Sequence, residues 1–448
     1  MAKQKSLFDK FIQLLTHTVD PIPNNLAKYD VVVLGEVLGG ILTHNFTKFT
    51  HGHKDIMYIS KSKSFEMSNI RPLYEQKRIS KLDYFLLPVL TVHASVARPI
   101  DPTITKIDPS HSTIEFSNGK KIEYKTLVLE QGLTAAPEKI KGFLEALNDD
   151  VCPVISNLES TNPKKYFKGF TLFSNGDAFV YIPEFPFAGE IETYNFLMSL
   201  DYFKYGEQIG YVSPLHSLTI INANDRFASN SQFLNKFIEE RVGMHSKVNV
   251  LYNTKLTKID KDSNKLTYVG KDGSETTKDF TYAYVHTPSK ENKLLVDSGL
   301  ANKSGIQVPV NPITLQHVNY DNIYSYGETA DLKLQQSLMG SICQSHVVRH
   351  NILQQIENKR PNAEYNNNVA LNLFTGMNSL STYKASSNSA EAISQGGLVE
   401  KWNYKQMLRS GVKTFKKIYI SKKAGPPKFG YQKFPEGEQV GPVLEKSH

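Results

Sequence analysis

Residues Tyr29 to Ile41 read YDVVVLGEVLGGI, a buried-strand pattern running into a glycine turn and then a helix start. Val31, Val32, Val33 and Leu34 form the continuous apolar run of a parallel strand covered on both faces. Gly35, Gly39 and Gly40 take the first, fifth and sixth places of a G-x-G-x-x-G window. The third place is Val37. A glycine there normally lets the backbone approach a dinucleotide pyrophosphate, and a β-branched side chain occupies that space. The stretch therefore predicts a Rossmann-type strand, turn and helix whose phosphate position is crowded.

About 20 residues beyond such a loop, an acidic residue at the end of the second strand ordinarily holds the ribose hydroxyls. The matching strand here is Asp55 to Ile59, and it ends in Ser60 followed by Lys61. A serine is no acceptor pair for a diol. Two separate parts of one nucleotide site are thus altered.

Further along, Thr103 to Gly132 reads as a small hairpin region with an Asn118-Gly119 turn, followed by a buried strand from Thr126 to Leu129. The strand runs into Glu130-Gln131-Gly132, with bulky polar residues where small ones usually admit a cofactor. Leu218 to Asp225, a helix from Asn230 to Val242 and a strand from Val248 to Tyr252 predict a second βαβ region without a glycine fingerprint of its own. The strand Tyr282 to Val285 is expected to return the chain to the first domain. Asn322 to Gly327 is expected to supply that domain's last strand, and Leu334 to Gln355 the helix beneath it.

At 448 residues, with 40% hydrophobic and 21% charged residues, the composition is that of a globular protein with room for two or three cores. The net charge of +8 is concentrated toward the C-terminus, where Lys405, Arg409, Lys413, Lys416, Lys417, Lys422 and Lys423 accumulate. No aromatic RNA-binding pattern, zinc-knuckle spacing or basic zipper accompanies these lysines, so nucleic acid is not expected as a partner. Cys152 and Cys343 are the chain's two cysteines, which excludes a disulfide framework. His44, His51 and His53 lack carboxylates or thiols at ligand spacing, and His346 and His350 lack a third ligand, so no metal site is assigned. From Gly397 to Tyr419, Leu398, Trp402, Leu408, Val412, Phe415 and Tyr419 alternate with lysines, the pattern of an amphipathic helix that lies on lipid or on a protein. The Pro- and Gly-rich tail from Ala424 cannot build a core alone.

In order along the chain, YDVVVLGEVLGGI, YKTLVLEQGLTAAPEKIKG, NKFIEERVGMHSKVNVLYN, VHTP, TLQHVNYDNIYSYGETA, AEYNNNVALNLFTGMN and EKWNYKQMLRSG resemble mitochondrial-type sulfide:quinone oxidoreductases, two-dinucleotide-fold flavoproteins. The resemblance implies an α/β chain of two Rossmann-like, FAD/NAD(P)-binding-type domains. The FAD-type domain would be split over residues 29–150 and 286–395, with the NAD-type domain at 151–285. An amphipathic extension (1–28), a C-terminal amphipathic region (396–423) and an extended tail (424–448) would complete the chain.

It also implies two redox cysteines beside a flavin, since sulfide must attack a disulfide and its sulfur must be carried away. Their places here hold Phe187, Ala188 and Gly189 on one side and Leu371 on the other. The aspartate that normally addresses the ribityl chain is Glu328. Gly35, Gly39, Gly40 and Glu328 are therefore assigned as vestigial cofactor-binding residues, with no catalytic residue and with no cofactor expected in place of FAD. The expectation is a pseudoenzyme, an accessory subunit of a respiratory complex on the matrix side of the mitochondrial inner membrane. Its partners would be other protein subunits, with peripheral membrane contact through 397–423. A quinone-linked FAD enzyme with an altered loop, and a binding module using the old cleft, remain the alternatives.

Overall fold

The computed structural model describes residues 26–36, 39, 42, 55–60, 65–66, 85–86, 103–157, 176–198, 200, 216–334, 336–373, 381–387 and 389–395. Val37, Gly40, His44, His51, His53, residues 1–25 of the N-terminal extension, the amphipathic region after 396 and the tail lie outside them.

The first sheet is built around β1 (Ala27–Gly35). On one side lies β2 (Ile56–Ile59); beyond the other come the hairpin strands β3 (Ile104–Asp108) and β4 (Thr113–Phe116) and the long strand β5 (Lys121–Glu130). The order is β2-β1-β5-β4-β3. β1 is parallel to both β2 and β5, which explains why Val31 to Leu34 are all fully buried. Each such side chain contributes about 1.5–3 kcal/mol relative to exposure. The β4–β5 turn falls at Asn118-Gly119: Gly119 has φ +77°, and the Asn118 side-chain oxygen accepts the Lys120 N–H at 3.1 Å.

After helix α1 (Phe143–Asn148) come β6 (Val154–Ser156), β7 (Asp177–Ile182), helix α2 (Glu190–Met198), β8 (Ser217–Asn222), helix α3 (Gln232–Gly243) and β9 (Val248–Leu251). Helix α3 starts where the Ser231 hydroxyl accepts the Leu234 N–H at 2.9 Å, and it buries Leu234, Ile238 and Val242 at four-residue spacing. An antiparallel sheet of β10 (Lys255–Asp260), β11 (Lys265–Val269) and β12 (Glu275–Asp279) follows. Next is β13 (Tyr282–Val285).

The second large sheet has the order β9-β8-β7-β13-β6 and is parallel throughout. Strand β13 therefore does not return the chain to the first sheet. It lies between β7 and β6, because its four consecutive buried residues need neighbours on both edges and both faces. The crossing back comes just after it, where Ser289–Lys290 pairs antiparallel with Thr134–Ala135.

Helix α4 (Lys293–Asp297) precedes β14 (Ile323–Ser325), which returns to the first sheet and runs parallel to the C-terminal half of β5. Helix α5 (Leu338–Ile356) is capped by Ser337 and buries Val347, Val348 and Ile352 against the same core. A three-stranded antiparallel sheet of β15 (Val369–Leu373), β16 (Ser381–Ser386) and β17 (Ser389–Gln395) adds Leu371 and Leu373 to the core of the second sheet. Among the described residues no helix is long and apolar enough to cross a membrane.

Candidate functional site

The β1–β5 register pairs Gly35 with Glu130, so the glycine turn and the end of β5 share one edge of the sheet. Backbone N–H groups at a strand-to-helix turn have no partner within the helix and need an acceptor. Glu130 supplies one. Its Oε2 accepts the Gly39 N–H at 2.8 Å and the Glu36 N–H at 3.0 Å, while its own carbonyl also takes the Glu36 N–H at 3.1 Å. Glu130 as a whole is 7% exposed. Burial drives its pKa up to about 8 against the pull of those two N–H groups, with Glu36 and Glu328 adding like charge.

The retained glycines acquire a physical reason from this contact. A Cβ on Gly35 would stand 3.0 Å from Glu130 Oε2 and 3.1 Å from the Gly39 Cα. One on Gly39 would press to 3.1 Å from a Val33 methyl. Both positions are closed by the protein's own atoms. The ribose corner is likewise occupied from within: the Ser60 hydroxyl donates to Glu36 Oε2 at 3.2 Å, and the Tyr58 hydroxyl donates to the Glu36 carbonyl. The Glu36 and Gly39 N–H groups, of the kind a dinucleotide phosphate takes at such a turn, are held here by Glu130.

Glu328 sits on the turn Gly327–Thr329 beyond β14. The turn is locked in place: Gln344 accepts the Gly327 N–H at 2.8 Å and Thr329 accepts the Gly132 N–H at 2.8 Å. The Glu328 side chain crosses to the head of α2, where the Gly189 N–H donates to it; burial, then the charges of Glu190 and Glu192, raise its pKa to about 7. Gly35 and Gly39 are thus gathered around Glu130, and Glu328 is directed to the other sheet.

The positions that the resemblance reserves for thiols are apolar. Phe187 is 3% exposed, stacked on Phe185 at 5.7 Å between ring centres and tilted against His286 at 5.6 Å. Leu371 belongs to the same core. Cys152 lies in a separate core beneath β10 and β11, and Cys343 packs from α5 against the first core. His346 is buried on α5 and burial, then Arg349, holds its pKa down near 3; His350 Nε2 pairs with the Asn362 side-chain oxygen at 2.8 Å. Among the described residues no set of three histidines, cysteines or carboxylates could hold a metal ion.

Three residues around α2 escaped the reading of the sequence. Glu190 accepts from the Tyr194 hydroxyl and from the Ser229 N–H and hydroxyl, Glu192 accepts from Tyr284, and His286 bonds Thr193 at 3.0 Å. The signal available was EIET directly after a glycine, an acidic first turn. It says nothing about the tyrosines that complete the network.

No family model matches the chain. Mouse mitochondrial sulfide:quinone oxidoreductase is 24% identical over 385 residues, 83% of each chain. Among solved structures, a chain in the Tetrahymena thermophila mitochondrial ATP synthase F1Fo tetramer superposes with a TM-score of 0.82 at 32% identity, covering 90% of this chain and 99% of that one. The sulfide:quinone oxidoreductase of Aquifex aeolicus superposes at 0.69 with 18% identity over 89% of this chain and 93% of its own, a likeness of fold.

Proposed function

We propose that this chain, a distant homologue of the sulfide:quinone oxidoreductases, serves as a non-catalytic subunit of a mitochondrial ATP synthase. The observation that carries the reading is the 32% identity along 99% of a chain built into such an assembly. The site's chemistry supports it. Sulfide oxidation needs two thiols that exchange through a disulfide, and Phe187 and Leu371 occupy the corresponding places as packed core. Cys152 and Cys343 belong to different cores and cannot replace such a pair. Under this reading the inherited fold is a scaffold without a flavin, and residues 397–423 rest on neighbouring subunits or on the matrix leaflet of the inner membrane.

The test is native electrophoresis of gently solubilised mitochondria, with this chain detected by antibody. Migration with the ATP synthase is the expected result, and a free species near 50.5 kDa overturns it. Denaturing the purified protein and scanning the supernatant for flavin absorbance tests the other half. Stoichiometric flavin there would overturn the cofactor-free reading.

A further inference from the structure

We infer that Glu130 is a resident carboxyl ligand of the glycine loop: it takes backbone donors that a dinucleotide pyrophosphate would need, and so closes the loop without a cofactor. The inference deepens the non-catalytic reading and rests on it.

A strand-turn-helix of this kind is an anion-binding device, and its inward N–H groups are costly to bury unpaired. A fold that gives up its phosphate ligand therefore needs another acceptor at the same place. The parallel register supplies one: Glu130 stands opposite Gly35 on the adjacent strand, so one glutamate side chain reaches Glu36 and Gly39 together. A single oxygen, Oε2, accepts both bonds. It can do so while a proton rests on the other oxygen, so the ligand remains in place in its neutral form.

A second observation marks the surroundings of Glu130 as polar. The Tyr326 hydroxyl is fully buried, has no hydrogen-bond partner among the described residues, and lies close enough to Glu130 to feel its charge. A donor left over beside a carboxyl is what remains when a larger, multiply accepting ligand is replaced by a smaller one. Without the Glu130 carboxyl, the Gly39 N–H and the Tyr326 hydroxyl would present donors to an anion, joined by the Glu36 N–H that the residue-130 carbonyl still shares.

The experiment is thermal unfolding of the full-length chain with and without inorganic pyrophosphate at millimolar concentration. The wild type is expected to ignore the probe. Glu130→Ala should melt several degrees lower and recover part of that loss in pyrophosphate, and adding Tyr326→Phe should weaken the recovery. Glu130→Gln, which keeps an oxygen acceptor, should melt near the wild type and ignore the probe. Should Glu130→Ala fail to fold, Glu130→Asp, one methylene shorter and drawn off the donors, carries the same expectations. A wild type stabilised by pyrophosphate as much as the Ala variant overturns the inference, as does an Ala or Asp variant that melts with the wild type or gains nothing from the probe. Flavin in the wild-type supernatant would instead sink the non-catalytic reading. An unresponsive variant of a flavin-free protein removes Glu130's role alone.

Discussion

The heads of the two large sheets are built alike and filled in opposite ways. In the first, β1 turns at Gly35 and the space is closed by the Glu130 carboxyl, bonded to two backbone N–H groups. In the second, the chain leaving β7 turns through Pro183 to Gly189 into α2, and the space is closed by the Phe187 ring between Phe185 and His286. The polar needs of this second turn are met at its margins: Asn157 donates to the Ala188 carbonyl at 2.7 Å, and Glu328 accepts the Gly189 N–H. The contrast shows that what closes a strand-to-helix turn depends on what the backbone presents. Inward N–H groups call for an acceptor, whereas a turn whose amides are served from outside takes an apolar plug.

The sharpest way to break the comparison is at the apolar plug. Phe187→Ala or Leu371→Ala removes buried ring or aliphatic volume, and the expected cost is about 2–5 kcal/mol, seen as a lowered unfolding temperature. A loss below about 1 kcal/mol at both would mean that this head is open rather than packed. Replacing the same two residues by cysteine should yield no sulfide-dependent quinone reduction while lowering stability, measured by activity assay and by melting.

Glu130→Ala comes next, at about 2 kcal/mol, since it takes the carboxyl acceptor from the buried Gly39 N–H and leaves the Glu36 N–H only the residue-130 carbonyl. Glu130→Gln distinguishes shape from charge and is expected to hold near the wild-type melting temperature at neutral pH.

Acidity separates the two heads further. Glu130 moves from the ordinary 4.5 to about 8 on folding, so the folded chain keeps a proton that the unfolded chain releases. Its contribution to stability is fully present below pH 4.5 and is lost as pH rises toward 8, at up to about 1.4 kcal/mol per unit. The melting temperature of Glu130→Gln should therefore fall less steeply over that window. Phe187 variants should retain the wild-type slope. Equal slopes for wild type and Glu130→Gln would show Glu130 to be ionised throughout. The smallest effect is expected at the ribose corner, where Ser60→Ala removes one partly exposed hydrogen bond and costs about 0.5–1 kcal/mol by thermal melting.

Much of the first sheet is legible in the chain. The apolar run at Val31 and the Asn118-Gly119 turn act locally, and each appears where its residues imply. The misassigned strand is instructive. Tyr282 to Val285 is a strand in any reading, but nothing in four buried residues says which sheet receives them, because the choice is made by the neighbours β7 and β6. The three-stranded sheets at 255–279 and 369–395 were also missed, since their short antiparallel strands carry mixed polar and apolar residues with bulges at Leu256/Lys258 and Lys384/Ser386.

The site divides in the same way. That Val37, Ser60, Glu130, Phe187 and Leu371 stand at the places the resemblance reserves for flavin contacts and two thiols is a reading of residue identity, and it needs the sequence alone. Glu130 was visible there as bulk in a place for small residues. Only the tertiary structure made it a ligand, because its partners lie 91 and 94 positions away and meet it solely through the parallel register of β1 and β5. Residue identity is local information, whereas the pairing of a carboxyl with a distant N–H exists only once strands remote in sequence lie side by side.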